Sequence, residues 1–482
     1  MTQEAEAASG NCMRPIAQIR RTSSMERDMH IKQKLLKLSV ALFALSLVAA
    51  ACGDDGDATV TDTTAAPAVT EAPDEAMEES EDEMMTDHLG DGSLGAVQVG
   101  PGEAVQIRSL EAITGDVAFL GLPNQRATML AVEDFGPIHG FEVEVGVGLD
   151  DLCSSDGGQA AAQSIVADED VLGVVGTSCS GAAVAAAPLI TGAGIVMISA
   201  SNTSPALTSD LNGNVGENHN IGYYRTAHND RAQGEAVSTF VLEELELTKA
   251  ATIHDGDPYT QGLAQAFQDF FERDGGTVTV ASALNKEDTD MVPVLTEIAA
   301  SAPELLFFPI FQPAGDFVAD QAPGVPGLES TVLMGADGLL NLDYLALPQT
   351  AGMYLSGPDT RFGENVNQST GRTADEFLTA YEQMYGEVPA APFWAHAYDA
   401  TTLLLDAIAA ASYVDADGNL NVDRQGIRDY LNSVENYSGL IGTINCDEFG
   451  DCGASRITVV ENLGGEENAE ASMQNVVYAY AR

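Results

Sequence analysis

Short apolar segments alternate with longer amphipathic segments along most of this chain. The short ones, such as VLGVVGT (171–177) and the run Ile195–Ile198, are rich in Val and Ile and have the length of buried strands. FEVEVGVGLDD (141–151) is predicted as a further strand, and LPNQRATMLAVEDF (122–135) as a helix. Because strands and helices alternate, the pattern predicts βαβ units and mostly parallel sheets.

The alternation is seen once before residue 227 and starts again near residue 250. The second series contains the helix TQGLAQAFQDFFERDGG (260–276), and the chain closes with a long helix in 393–413 and two strands near its end. Two series of this kind predict an α/β protein with two lobes, each built on a doubly wound parallel sheet.

The N-terminal pattern predicts export. Lys32, Lys34 and Lys37 precede the apolar run Leu38–Ala51, which has the length of a signal peptide and is short for a membrane span. The run ends in LVAAAC, which resembles the lipobox of bacterial lipoproteins, so residues 29–51 are predicted to be removed and Cys52 to be lipidated. Residues 1–28 fit neither part of this signal and are interpreted as an upstream extension outside the fold.

Residues 52–101 are predicted to form a tether between the anchor and the globular body. The segment is acidic, rich in Thr, Ala and Pro, and nearly free of aromatic residues, so it lacks the apolar surface that a folded core needs.

Charge and cysteine content restrict the possible partners. The formal net charge is −53, which repels the phosphates of nucleic acids, so no nucleic-acid partner is expected.

Outside the leader and Cys52, four cysteines remain in an oxidising compartment: Cys153, Cys179, Cys446 and Cys452. They predict two disulfides, among which three pairings are formally open. A metal site competes poorly because no suitably spaced His accompanies them, and no metal or other cofactor is expected.

Catalytic motifs are not evident. The sequence has no H-E-x-x-H, G-x-S-x-G or P-loop motif, and the first predicted strand is not followed by a dinucleotide fingerprint. His228, His254 and His396 lie near the ends of predicted elements and are interpreted as packed or surface residues. A hydrolase that uses Ser180 or Ser201 would lack a recognisable His/Asp partner, so the protein is predicted not to be an enzyme.

Polar side chains follow two neighbouring strands of the first predicted sheet. Ser180 lies between the strand VLGVVGT and the start of a helix, where free N–H groups favour an anion. Ser201 and Thr203 follow the next strand, in SASNTSPALT. Each residue alone is also a common helix cap, but together they predict a pocket for a small anion such as a carboxylate.

The second predicted sheet supplies complementary groups. Tyr259 and Phe311 lie at strand-to-helix turns, and Asp337 follows an apolar strand. A carboxylate opposite the hydroxyl pair suits an ammonium group, and the two aromatic rings suit an apolar side chain. These groups together fit an α-amino acid, although Asp337 as a helix cap and the two rings as core residues stay open as alternatives.

Several of these segments resemble one known family. DDLCSSDGGQAAAQSIVADEDVLGVVGTSCSGAA, MISASNTSPALT, YYRTAHNDRAQG, IHDGDPYTQGLAQAF and GADGLL look like the periplasmic leucine/isoleucine/valine-binding proteins, the substrate-binding family of branched-chain amino acid ABC transporters. The resemblance runs in order from about residue 106 to the C-terminus. It implies the type I periplasmic-binding fold, with lobe 1 in 102–227 and 359–442, lobe 2 in 228–358 and 443–482, and a hinge of three crossings.

The resemblance also implies roles for individual residues. It pairs Cys153 with Cys179 and leaves Cys446 with Cys452. The ligand carboxylate is held by Ser180 and Thr203, the carbonyl of Ser201 accepts from the ammonium, Asp337 pairs with the ammonium, and Tyr259 and Phe311 form the side-chain wall. Asp230 matches an acidic position near the hinge.

Three positions depart from the family pattern. Asp337 stands where similar members carry Glu, and both Leu120 and Phe311 stand where they carry Tyr. These changes surround the side-chain pocket, so the resemblance supports an amino-acid scaffold better than branched-chain selectivity.

The sequence therefore predicts a lipid-anchored, monomeric extracytoplasmic protein that captures a small amino acid, branched-chain or otherwise apolar, by hinge closure and delivers it to an ABC transporter permease. An amide, urea or aromatic acid in the same fold, and a sensory role, are the alternatives.

Overall fold

The computed structural model describes residues 88–481 of the chain, in which two parallel-stranded sheets are flanked by helices. In chain order, the strands are β1 (Ala96–Val99), β2 (Val105–Glu111), β3 (Val143–Glu144), β4 (Leu149–Asp150), β5 (Val171–Gly176), β6 (Val196–Ser199), β7 (Tyr223–Arg225), β8 (Lys249–His254), β9 (Thr277–Ala283), β10 (Leu305–Phe307), β11 (Val332–Gly335), β12 (Tyr354–Pro358), β13 (Ser412–Val414), β14 (Leu420–Asp423), β15 (Tyr437–Gly439), β16 (Gly442–Ile444), β17 (Arg456–Glu461) and β18 (Val476–Ala481).

Helices connect most of these strands. The α-helices are α1 (Ala118–Phe135), α2 (Ser155–Val166), α3 (Ser180–Gly192), α4 (Asp230–Thr239), α5 (Pro258–Arg273), α6 (Val292–Ala299), α7 (Ala314–Gln321), α8 (Leu342–Ala346), α9 (Ala374–Tyr385), α10 (Trp394–Ala410), α11 (Arg424–Asn432) and α12 (Ala469–Gln474). A π-helical segment, Phe240–Glu244, extends α4, and short 3₁₀ segments include Pro205–Leu207 and Asp337–Leu339.

The first sheet has the strand order β3-β2-β5-β6-β7, with every pair parallel and with β4 also paired to β2. Helices α1 and α10 cover one face and pack against each other, and α2 and α3 cover the other face. Ile107 and Leu404 belong to the core on the first face, whereas Leu110 and Ile190 belong to the core on the second. Both faces of the sheet are thus buried, as is usual for parallel strands.

The second sheet has the order β18-β17-β12-β11-β10-β8-β9. Its strands from β12 to β9 are parallel, whereas β17 pairs antiparallel with both β12 and β18. Phe307 packs on the α5 side and Phe308 on the opposite side, because successive strand residues point to opposite faces. The predicted architecture of two doubly wound α/β lobes is confirmed.

The chain passes between the two sheets three times. It leaves the first sheet after β7, returns after β12 so that α9 and α10 pack with α1, and leaves again after β16 to form β17. The lobe boundaries given above stay a prediction. The position of these passages matters for function, because α4, which follows the first passage, carries Asp230 at its first residue.

Two predicted elements differ from the structure. The tether was predicted to reach residue 101, but Ala96–Val99 form β1, which pairs antiparallel with β14 and buries Val97 and Val99. The prediction was wrong for these residues because the partner strand lies more than 300 positions away. FEVEVGVGLDD forms only β3 and β4, since Gly146, at φ +71°, interrupts the strand between them.

The earlier N-terminal predictions, including the signal peptide, lipidation of Cys52 and most of the tether, lie outside the described residues.

Candidate functional site

The hydroxyl groups predicted to bind an acid group lie together at the C-terminal ends of β5 and β6. Ser180 is the first residue of α3, whose cap residue Cys179 makes no side-chain cap bond, and the N–H of Gly181 in the first turn donates to the Asp257 carboxyl group. Ser180 Oγ accepts a hydrogen bond from Ser204 N at 3.3 Å. Thr203 is buried, and its Oγ1 makes no hydrogen bond of ordinary geometry within the described part of the chain, although the hydroxyl lies beside the Asp230 carboxyl group. The hydroxyls of Ser180 and Thr203 are therefore the side-chain donors at this end of the cleft.

Ser201 contributes differently from its two neighbours. Its Oγ accepts from Asn124 Nδ2 at 3.3 Å and donates to the carbonyl of Ser178 at 3.0 Å. The hydroxyl is thus engaged within the protein. The backbone carbonyl is the group of Ser201 that the resemblance assigns to the ligand.

Tyr259, Phe311 and Asp337 also lie together, beyond the ends of β8, β10 and β11. Helix α5 begins with Pro258 after Asp257, whose Oδ1 accepts from Tyr259 N at 2.9 Å. Tyr259 Oη donates to Asp337 Oδ1 at 3.2 Å and accepts from Gly338 N at 3.0 Å. The rings of Tyr259 and Phe311 lie 5.1 Å apart between centroids. The tyrosine therefore orients the aspartate as well as forming part of an aromatic wall.

Two buried carboxylates, Asp230 and Asp337, give the cleft a negative pole. Asp337 Oδ1 accepts from Gln233 Nε2 at 2.7 Å, whereas neither oxygen of Asp230 has a partner among the residues described. Burial raises the pKa of Asp337 above its usual range, and burial together with the negative charge of Asp337 raises the pKa of Asp230. Neither carboxylate is ion-paired within the described residues.

Arg225 is the buried cation closest in sequence to this pole, and its guanidinium is already engaged. Nε donates to Asp451 Oδ1 at 2.5 Å, and Nη1 donates to the carbonyls of Asn202 and Ser204 at 3.1 and 2.8 Å. The guanidinium thus supports the loop that carries Thr203. The acceptors of Asp230 are left for a cation from outside the chain.

The two sets of groups face each other across a closed cleft. Ser204 Oγ donates to the carbonyl of Pro258 at 3.0 Å, which joins the loop after β6 to the start of α5. Gly181 lies so close to Asp257 that a Cβ atom at this position would clash with the carboxylate. An opening of about 460 Å³ lies beside the contact, lined from both sides by residues that include Cys153, Gly181 and Phe311.

Leu120 belongs to an apolar cluster that spans the cleft. The cluster contains Leu120, Cys179 and Phe393, with Phe311 packed against it from the second lobe. The structure therefore brings all eight predicted positions to one region, although Ser201 and Leu120 contribute through backbone and packing rather than through a free polar group.

Three further residues belong to this region: Gln233 and Phe393, which the sequence analysis did not single out, and His228, which it interpreted as a packed or surface residue. His228 Nε2 lies 2.5 Å from Gln233 Oε1, and its ring stacks on Phe393 at 6.1 Å between centroids. Because Gln233 Nε2 donates to Asp337 and to Ser356 Oγ, its Oε1 is the acceptor for His228. Gln233 lies three residues after Asp230 on one helix, a spacing that places both on the same face and that the sequence displayed. Phe393 carried no such signal.

The buried histidines are neutral packing residues. Burial lowers the pKa of His228 to about 4 and that of His396 to about 3. This agrees with their interpretation as packed side chains, while His254 is half-buried.

Both disulfides are present. Cys153 is bonded to Cys179, and Cys446 is bonded to Cys452, which is the pairing that the resemblance implied. The first joins the loop after β4 to the residue directly before Ser180, so it ties the anion-binding turn to a neighbouring strand end.

Neither a metal centre nor a membrane span is found in residues 88–481. The described part of the chain has no cluster of three or more His, Cys, Asp or Glu side chains suited to a metal ion. Over the same residues, every helix is too short or too polar to cross a bilayer.

Comparison with known proteins decides the family. The periplasmic binding protein family matches residues 104–453. The chain belongs to this family. The protein is therefore a solute-binding protein rather than an enzyme, and the family implies a location outside the cytoplasm.

Individual relatives agree with this assignment. The chain is 26% identical to a Leu/Ile/Val-binding protein homolog of Brucella melitensis, over 72% of this chain and 88% of the relative. It is 26% identical to a leucine-, isoleucine-, valine-, threonine-, and alanine-binding protein of Pseudomonas aeruginosa, over 74% and 90%. Its fold is similar to a branched-chain amino acid transporter substrate binding protein of Streptococcus pneumoniae in complex with isoleucine, with a TM-score of 0.63, 22% identity, and coverage of 79% of this chain and 99% of that one.

Proposed function

We propose that this protein captures a small α-amino acid by closure of its two lobes and delivers it to an ABC transporter permease. The observation that carries the proposal is the pairing of two complementary poles in one cleft. Asp230 and Asp337 form a buried negative pole without an ion pair among the described residues, and the hydroxyls of Ser180 and Thr203, beside the start of α3, supply the donors of the opposite pole. An α-amino acid has an ammonium and a carboxylate on adjacent atoms, which matches this arrangement.

The ammonium is assigned to the negative pole. A buried carboxylate without a partner is unfavourable, so a ligand cation that reaches Asp230 or Asp337 gains charge-assisted hydrogen bonds at a buried site. Gln233 and Tyr259 hold Asp337 in place before the ligand arrives, which reduces the ordering cost of binding.

The ligand carboxylate is assigned to Ser180, Thr203 and the N-terminus of α3. Hydroxyl and backbone N–H groups at a helix start favour an anion through both hydrogen bonds and the helix dipole. The disulfide at Cys179 holds this turn.

The ligand side chain is assigned to the apolar cluster around Leu120, Phe311 and Phe393. These walls favour an apolar side chain, and the names of the relatives in Brucella and Pseudomonas support leucine, isoleucine, valine, threonine and alanine as the first candidates.

The proposal includes a lipid anchor at Cys52 and action as a monomer. The anchor is supported by the basic, apolar and small-residue pattern before Cys52. It would keep the protein at the membrane surface, where a permease receives the ligand.

Calorimetric titration of the full chain, with Cys52→Ser to prevent lipidation, tests the ligand class. The panel contains L-amino acids, their N-acetyl derivatives, which lack the ammonium, and their decarboxylated amines, which lack the carboxylate. Saturable binding of an apolar L-amino acid that is lost in both the N-acetyl derivative and the amine supports the two-pole site. Binding of urea, a simple amide or an aromatic acid, with no response to amino acids, contradicts it. Uptake of the same amino acid by cells, lost when the gene is deleted, separates transport from sensing.

A further inference from the structure

Behind the loops that carry Ser180 and Thr203 lies a buried acid that ligand binding does not use directly. Glu111, the last residue of β2, has no solvent exposure. Its Oε2 accepts from Ser178 Oγ at 2.5 Å, and that hydroxyl in turn accepts from Ala112 N at 2.9 Å. The bond from Ala112 has a fixed direction, because a backbone N–H can only donate, and the single hydrogen of the Ser178 hydroxyl is assigned to Glu111 Oε2.

A second series of hydrogen bonds also leads to Ser178, through its backbone carbonyl. Asn124 Nδ2 donates to Ser201 Oγ, and Ser201 Oγ donates to the carbonyl of Ser178 at 3.0 Å. These bonds fix the orientation of the Asn124 amide, so that Oδ1 points away from Ser201.

Two buried oxygen atoms are left without a partner where these two series of hydrogen bonds approach each other. Glu111 Oε1 and Asn124 Oδ1 both lack a partner within the described residues, while the Asn124 side chain lies within hydrogen-bonding reach of the Glu111 carboxyl group, where a donated amide N–H would lower the pKa of that carboxyl group. If Glu111 were ionised, both atoms would be acceptors, and each would be buried without a donor, which is unfavourable. One proton between them satisfies both.

We propose that Glu111 is protonated on Oε1 and acts as a positioning residue for the ligand site, donating to Asn124 Oδ1. The bond closes a ring that runs from Ser178 Oγ through Glu111, Asn124 and Ser201 to the carbonyl of Ser178. We call it the Glu111 ring. It links the turn before Ser180 to the turn before Thr203. The two parts of the proposed carboxylate-binding pole are thereby held in a fixed relative position. The positioning role rests on the proposed function.

The surrounding charges favour the protonated form. Asp151, whose own pKa burial raises to about 7, is the acidic group that acts on Glu111, and it accepts from the backbone N–H groups of Ser178 and Cys153 at 2.7 Å each, with Asp150 beside it. Within the described residues, no Lys or Arg side chain bonds to Glu111. Burial, followed by the charge of Asp151, raises the pKa of Glu111 well above its usual range.

The opposite orientation of the Asn124 amide would let an ionised Glu111 accept from Nδ2. Ser201 Oγ has a single hydrogen, which would then be needed by Asn124 Oδ1, so the carbonyl of Ser178 would lose its donor. A carboxylate charge would also be buried beside Asp151 without a cation. The protonated acid avoids both costs.

Two substitutions of Glu111 separate these cases in the full chain. Glu111→Gln keeps a donor toward Asn124 and an acceptor toward Ser178, whereas Glu111→Leu keeps the size and removes both. Infrared difference spectra of the ligand-free proteins are expected to show a protonated carboxyl band in the wild type that is missing from Glu111→Gln. No difference in that band would mean that Glu111 is ionised, and would overturn the proposal.

Unfolding across pH gives an independent ligand-free test. Because the carboxyl pKa is raised in the folded state, its contribution to stability is present at low pH and is lost as pH rises. The folding equilibrium constant of the wild type is expected to fall relative to that of Glu111→Gln by up to tenfold per pH unit above the usual Glu pKa of about 4.3. A wild type that instead gains stability over Glu111→Gln as pH rises would overturn the proposal.

Ligand titration then tests the positioning role. Glu111→Leu is expected to weaken binding of the amino acid found above by about tenfold, and Glu111→Gln to restore it to within about twofold of the wild type. Equal loss in both variants, or no loss in either, would overturn the role. If no amino acid binds the wild type, the proposed function fails, while the infrared and unfolding results still decide the proton on Glu111.

Discussion

Gln233 Nε2 donates to Asp337 Oδ1 at 2.7 Å, across 104 positions of sequence. The same nitrogen also donates to Ser356 Oγ, and His228 contacts the other end of the amide. Asp337 is therefore held by a residue of α4, the helix that follows the first passage between the lobes. The aspartate proposed to bind the ligand ammonium is thus fixed by a contact that depends on how the lobes are joined.

Asp337→Asn is expected to weaken binding of an amino acid by about 30-fold or more. The change removes one buried charge from the negative pole, and loss of one partner of a buried charged pair costs 2–5 kcal/mol. Calorimetric titration measures the loss. Asp343→Asn, at an exposed position on α8, is the matched control and should leave the Kd unchanged. Equal Kd values for wild type and Asp337→Asn would remove this residue from the ammonium site.

Thr203→Val is expected to weaken amino-acid binding by about tenfold to a hundredfold with little effect on stability. The hydroxyl lies beside the Asp230 carboxyl group but makes no hydrogen bond of ordinary geometry within the described chain, so its loss mainly removes a bond to the ligand acid group. Thr203→Ser should retain binding. Parallel thermal unfolding checks stability. A variant that unfolds at a clearly lower temperature would show that the hydroxyl is structural.

Ligand affinity is expected to rise with pH between the usual Asp pKa of about 3.9 and neutrality. Burial, and the charge of Asp337 on Asp230, raise the pKa values of the pair, so the empty cleft retains a proton that a ligand ammonium displaces. The same raised values mean that the ligand-free protein loses stability as pH rises through this window. Titration in buffers of different ionisation enthalpy should show proton release. Proton uptake on binding would contradict the assignment.

Gly181→Ala is expected to weaken binding by hindering closure. A Cβ at Gly181 would clash with Asp257 in the closed arrangement, whereas alanine suits the helix itself. Small-angle scattering with saturating ligand should show a larger radius of gyration than for the wild type. Gly192→Ala lies on the same helix with no atom within 4 Å of the new Cβ, so it is the control. An equal loss of affinity in Gly181→Ala and Gly192→Ala would show that Gly181 has no specific role in closure.

Loss of the Cys153–Cys179 disulfide is expected to reduce stability more than loss of Cys446–Cys452. The first closes a separation of 26 residues and the second of 6, which correspond to about 3.5 and about 2 kcal/mol in the chain-entropy relation. Paired Cys→Ala variants and denaturant unfolding measure the difference. Only the first pair adjoins Ser180, so ligand affinity should fall in that variant alone. A greater loss from the second pair would show that loop length does not govern the effect.

The sequence by itself determined the class of the fold and some of the residues that form each proposed pole. Alternating strand and helix patterns predicted the parallel sheets, because periodicity reports which faces of an element are buried. The hydroxyls after β5 and β6 were predictable because the carboxyl ends of neighbouring parallel strands meet at one edge. Both signals lie within a few residues along the chain.

Only the tertiary structure decided what these groups contact. The pairing of β1 with β14, the hold of Gln233 on Asp337, and the place of Phe393 beside Leu120 all join residues separated by a hundred positions or more. The same is true of which polar atoms remain without partners, such as those of Asp230 and Thr203. A local sequence pattern indicates that a side chain is buried. The hydrogen bonds and charges around that side chain depend on how distant elements pack.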